Sequence, residues 1–150
     1  MNKWNFKPTR EFVEAIPKTD LHVHLDGSVR LKTIIELAER SGVKLPANTE
    51  KELASAIHMG KPCEDLRDYL TAFNVTLSVL QDEYALYRVA YELAEDAAKE
   101  NVRLMEVRYS PMLHTRKGLS LTRIVECVLE GLADARRDHN ILCNVIICGI

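Results

Sequence analysis

Leu21-His22-Val23-His24-Leu25-Asp26-Gly27 gathers the most reactive side chains of this sequence into one short stretch. In an extended strand, residues two apart project to the same side, so His22 and His24 present two imidazoles to one point. Imidazole is the commonest neutral ligand for zinc, and two on one rigid strand need little reorganisation to bind it. The chemistry such a metal supports is activation of water for attack on an electrophilic carbon. Two histidines that merely end a strand satisfy the same spacing. The pair is also one ligand short of the three that a catalytic zinc usually takes from protein. The loop Asp26-Gly27-Ser28 that follows would lie at the C-terminal face of a βα-barrel, where such folds build active sites.

The other histidines add no obvious third ligand. His58 sits near a helix end before Met59-Gly60, His114 falls in a loop, and His139 ends a helix, where the helix dipole suits it. Each reads as structural or surface. Glu106 and Arg108 alternate with Met105 and Val107, and they read as a buried polar network rather than an acid–base pair. Cys63, Cys127, Cys143 and Cys148 contain no CxxC pair and read as reduced packing cysteines.

These residues need a frame. Thr19 to Leu25 reads as a strand. A helix follows over about Leu31 to Arg40, with Thr33 and Glu36 as a capping box and Gly42 as its stop. Thr49 and Glu52 open a short helix that ends near Gly60. Apolar periodicity predicts further helices over Asp65 to Leu80 and Asp82 to Glu100. Val102 to Tyr109 alternates as a strand, stopped by Ser110-Pro111. Ser120 or Thr122 opens a last helix, and Ile141 to Ile147 reads as a strand buried on both faces. The order gives an α/β fold of three parallel strands with an all-helical insertion after the first, part of a sheet or barrel. Three strands cannot close a barrel, so the sequence reads as unfinished, with an open sheet edge through which it could self-associate.

Composition narrows the class. A net charge of −2 with interspersed signs, as in Glu95-Asp96 before Lys99, gives no basic surface for nucleic acid. No apolar run approaches the ~20 residues of a membrane span, and residues 1–10 carry no signal-peptide core. The expectation is a cytoplasmic protein with neither nucleic acid nor membrane as partner.

Pro17-Lys18-Thr19-Asp20-Leu21-His22-Val23-His24-Leu25-Asp26-Gly27-Ser28 closely resembles the opening strand of adenosine deaminases. Glu106-Val107-Arg108-Tyr109-Ser110-Pro111 resembles their second strand. Pro62, Leu66, Asp68, Tyr69, Leu70 and Phe73 resemble the helical segment over their active site. The resemblance implies a TIM-type (β/α)₈ barrel, of which residues 1–150 are the N-terminal part of a single domain. It implies zinc-dependent hydrolysis of adenosine and 2′-deoxyadenosine to the inosines, with release of ammonia, in purine salvage. His22 and His24 would be Zn²⁺ ligands, and Asp26 would accept a hydrogen bond from the nucleoside 5′-hydroxyl. Leu66, Tyr69, Leu70 and Phe73 would wall the purine and ribose, with Tyr69 standing where the family usually has Phe.

The family's third histidine and its general acid, in a His-Ala-Gly-Glu segment, are absent from residues 1–150, as is its later Asp pair. No catalytic residue is therefore expected within this chain, and the segment alone is expected to be inactive. Adenine deaminase or another zinc amidohydrolase is the nearest alternative, though adenine deaminases tend to carry Glu where this chain has Asp26. A non-catalytic fragment or interaction module is the alternative of a different class.

Overall fold

A computed structural model describes residues 7–57 and 66–149, with the side chains of 66–71 outside the description. Three strands, β1 (Lys18–His24), β2 (Val102–Tyr109) and β3 (Leu142–Ile147), pair in parallel in the order β1-β2-β3. Parallel neighbours require crossovers. Helices α2 (Leu31–Ser41), α3 (Glu50–Ala56), α4 (Leu66–Val79) and α5 (Glu83–Lys99) join β1 to β2, and α6 (Leu121–His139) joins β2 to β3. A short α1 (Arg10–Ala15), capped by Thr9, precedes β1.

Caps explain most helix boundaries. Asp82 and Ser120 accept from the third residues of α5 and α6, and Thr49 accepts from the Glu52 amide while donating to its carboxylate. The capping box expected at Thr33 and Glu36 does not form. Arg30 occupies the N-cap without a side-chain bond, while Thr33 donates to Glu92 and Glu36 pairs with Arg88. The helix still stops at Gly42, which takes the left-handed φ of 69° that glycine tolerates.

The core lies between one face of the sheet and helices α2, α5 and α6. Met105, Val107 and Tyr109 alternate into it from β2, meeting Ile34 and Leu37, then Leu86, Val89 and Ala90, then Ile124 and Val128. Gly131 lets α5 and α6 approach closely, since a Cβ there would stand 2.3 Å from the Tyr87 carbonyl oxygen. Above that contact Tyr87 donates to Asp134. Arg30 clamps the start of α2 to α5 with a two-pronged grip on Asp96, and it also bonds Glu95. Those acidic residues are thus part of a network between helices, where the sequence had suggested only a solvated face.

Strand β3 corrects another expectation. Leu142 and Ile147 are about half exposed, so this strand is not buried on both faces. It ends the sheet, and only one of its faces meets α6.

Candidate metal and substrate site

Because side chains alternate across the sheet, the residues opposite the core share its other face. His22 and His24 project there from β1, with Glu106 and Arg108 beside them on β2, where His24 is in register with Arg108. The turn after β1 is held by Ser28, whose hydroxyl donates to the His24 carbonyl at 2.6 Å and whose amide donates to Leu25. That turn folds Asp26 back into a buried position at the C-terminal end of the sheet.

The two imidazoles stand with ring centroids 5.4 Å apart, tilted by 43°. Rings sharing one tetrahedral zinc, at Zn–N distances of about 2.0–2.1 Å, would hold centroids about 5 Å apart. The observed separation is close to that value. Arg108 lies against the pair, its guanidinium 2.8 Å from His22 Nε2 and 3.2 Å from Nδ1. A guanidinium can only donate, so the imidazole lone pair is engaged by Arg108 here, and a metal at that nitrogen would take the place of this bond. Among the described residues no group of three or more His, Cys, Asp or Glu is placed to hold a metal.

Arg108 also reaches Cys148 Sγ at 3.4 Å. The Glu106–Arg108 network expected from the sequence is not found among the described residues: both residues are only partly buried, and Arg108 turns to His22 and Cys148 instead. Cys127, Cys143 and Cys148 are free thiols, and burial pushes Cys143 up to about 11. His58, Pro62 and Cys63 lie outside the described residues.

Asp26 Oδ1 is buried and has no hydrogen-bond partner among the described residues; the nearest imidazole nitrogen, His24 Nδ1, is 4.0 Å away. An ionised carboxylate in that position calls for a donor. Helix α4 runs over the same end of the sheet. Phe73 meets the His24 ring edge-on at 6.4 Å, and its Cζ lies 3.3 Å from where a Cβ on Gly27 would stand. The absence of a side chain at Gly27 is what lets the phenyl ring settle over the turn. Of the other predicted wall residues, Leu66, Tyr69 and Leu70 belong to α4, but their side chains lie outside the described residues.

His114, expected from the sequence to be a structural or surface residue in a loop, is structural. It is fully buried in a 3₁₀ turn (Pro111–His114), with Nδ1 donating to the Leu80 carbonyl at 2.8 Å. Burial lowers its pKa, opposed by that bond and by the charge of Asp26. Burial also pushes the neighbouring Tyr109 phenol upward. His139, placed at the end of α6, faces the Tyr91 hydroxyl.

A parallel βα sheet with two histidines, a buried carboxylate and the Phe73 ring at its C-terminal end has the architecture of a segment of a TIM-type barrel. The sequence model for adenosine deaminase matches residues 17–150, and the chain belongs to that family. A probable adenosine deaminase of Dictyostelium discoideum is 44% identical over 146 residues, covering 97% of this chain and 19% of that protein. The structure of an adenine deaminase from Arthrobacter aurescens superposes with a TM-score of 0.79 at 30% identity, over 89% of this chain and 39% of that one. A zinc-bound amidohydrolase from Burkhoderia ambifaria gives 0.76 at 28%, over 97% and 40%. The chain thus spans well under half the length of these relatives.

Proposed function

We propose that the intact protein containing this chain is a zinc-dependent deaminase that hydrolyses adenosine and 2′-deoxyadenosine to inosine and 2′-deoxyinosine, serving purine salvage in the cytoplasm. The observation that carries this reading is the grouping of His22 and His24 with buried Asp26 and the Phe73 ring at one end of the sheet. Family membership and the zinc bound in one structural neighbour support it.

In this reading His22 and His24 hold the metal, which when bound supplies activation of water at neutral pH. Asp26 offers its unpaired oxygen to the ribose 5′-hydroxyl and so fixes the distance of the purine from the histidine pair. Phe73, with Leu66, Tyr69 and Leu70, covers the base and excludes bulk water. The proton for the purine ring comes from the family's His-Ala-Gly-Glu segment, which is not among residues 1–150.

Adenine is the second substrate to consider, because one structural neighbour is an adenine deaminase. Asp26 favours the nucleoside, since its carboxylate is the group in the turn that a ribose hydroxyl would satisfy. Absorbance assays of the intact protein on adenosine, 2′-deoxyadenosine and adenine separate the two. Turnover of the nucleosides with little on adenine is expected, and turnover of adenine alone would overturn the assignment.

A further inference from the structure

We propose that Gln81 and His114 form a latch that positions the apolar wall of the substrate site, by pinning the end of α4 to the turn after β2. This inference rests on reading the Phe73 side of α4 as that wall.

The latch is built from bonds that cross between the two segments. Gln81 is buried, and its amide is fully used: Nε2 donates to Leu77 O at 2.7 Å and Leu113 O at 2.9 Å, while Oε1 accepts from the Arg116 amide at 3.0 Å. His114 adds the bond from Nδ1 to Leu80 O. A carbonyl can only accept, so Nδ1 carries the proton. Leucine would fill the same buried space without leaving a nitrogen unpaired. Among the described residues His114 Nε2 has no partner, so what the imidazole adds over an apolar side chain is its bond to α4.

Both ends of the latch lead to the site. The 3₁₀ turn follows directly from β2, the strand that lays Arg108 against His22, and the His114 ring packs edge-on to Tyr109 at 5.9 Å. On the other side α4 is a rigid lever. Phe73 lies two helical turns, about 12 Å, from Gln81, so a tilt of about 10° at the base moves the phenyl by about 2 Å. The Phe73 ring stands 3.3 Å from where a Cβ on Gly27 would be, so a shift of that size opens or crushes the wall. Gln81 and His114 are thus positioning residues, acting through α4.

The test uses the intact protein with four variants: His114→Leu, His114→Asn, Gln81→Ala and Gln81→Glu. The Asn side-chain amide can place a donor where Nδ1 stands, so His114→Asn should restore what His114→Leu removes. Hydrogen exchange read by mass spectrometry should show backbone amides of residues 66–79 exchanging roughly tenfold faster in His114→Leu and Gln81→Ala, with β1 and β2 unchanged. Gln81→Glu keeps the acceptor for Arg116 and loses both donors, so it should fall between. KM for adenosine should rise several-fold in the loosened variants while kcat stays close to wild type, the pattern of lost uniform binding. Unchanged exchange in α4, equal acceleration throughout the chain, or failure of Asn to rescue would each overturn the latch. Faster exchange with an unaltered KM would overturn its positioning role. If the wild type does not act on adenosine, the assigned function fails, and the exchange data still decide the latch.

Discussion

Removing the Asp26 carboxylate should cost the intact enzyme a defined amount on one substrate and almost nothing on another. Asp26 is 5% exposed, and its Oδ1 has no hydrogen-bond partner among the described residues. A hydroxyl donating to it would form a charge-assisted hydrogen bond, worth about 1.5–3 kcal/mol. On that basis Asp26→Ala lowers kcat/KM for adenosine about 10- to 150-fold. Asp26→Asn keeps the shape and one neutral acceptor, so its loss should lie toward the lower end of that range. With 5′-deoxyadenosine there is no hydroxyl to hold, so the wild type already lacks the bond and Asp26→Ala should change little. The assay is the absorbance change on deamination, run on both substrates with wild type and both variants. The Ser28 bonds that shape the turn do not involve the Asp26 side chain, so loop geometry should survive the substitution. Equal losses on both substrates would refute the reasoning and leave Asp26 as a determinant of the loop alone.

Gly131→Ala should destabilise the fold by roughly 1–2 kcal/mol in chemical denaturation. The new Cβ would meet the Tyr87 carbonyl oxygen at 2.3 Å, and overpacking of about 1–3 kcal/mol outweighs the helix propensity that alanine gains; an unchanged midpoint would mean α5 and α6 separate freely. Arg30→Met should cost about 1–2 kcal/mol at low salt and less at 1 M, since the guanidinium is about one-third exposed and its pairs are screened. His114 has a folded pKa held below its unfolded value of about 6.5, so between the two the unfolded chain binds the extra proton. Stability from this group is therefore present above about pH 6.5 and lost as pH falls below it, and the acid slope in denaturation curves should shrink in His114→Asn. An identical slope in that variant would show that other groups set it. Open at β3, where Leu142 and Ile147 are half exposed, the isolated 150-residue chain should self-associate in light scattering; a monodisperse monomer would argue against that.

Much of this architecture was legible because periodicity and caps agree with one another. Val102–Tyr109 alternates as the sequence indicates, and Ser120, Thr49 and Gly42 cap or stop helices where their chemistry suggests. The histidine pair was legible too, because a strand's two-residue repeat is geometric. Thr33 and Glu36 misled, since tertiary partners on α5 claimed both side chains. Ile141–Ile147 misled because an apolar run reports burial only where neighbours cover both faces, and β3 is the last strand of the sheet. His114 and Gln81 left no trace in any repeat. Their partners are backbone carbonyls and an amide more than thirty residues away in several cases, a relation that only the folded chain creates.

The measurement closest to the central claim is the zinc content of the purified intact protein and of His22→Ala and His24→Ala, read by elemental analysis after dialysis. If His22 and His24 hold the metal as proposed, wild type should carry one zinc per chain and each variant should lose it while keeping its fold by circular dichroism. Stoichiometric zinc retained in both folded variants would contradict the assignment of this strand as the anchor of the metal.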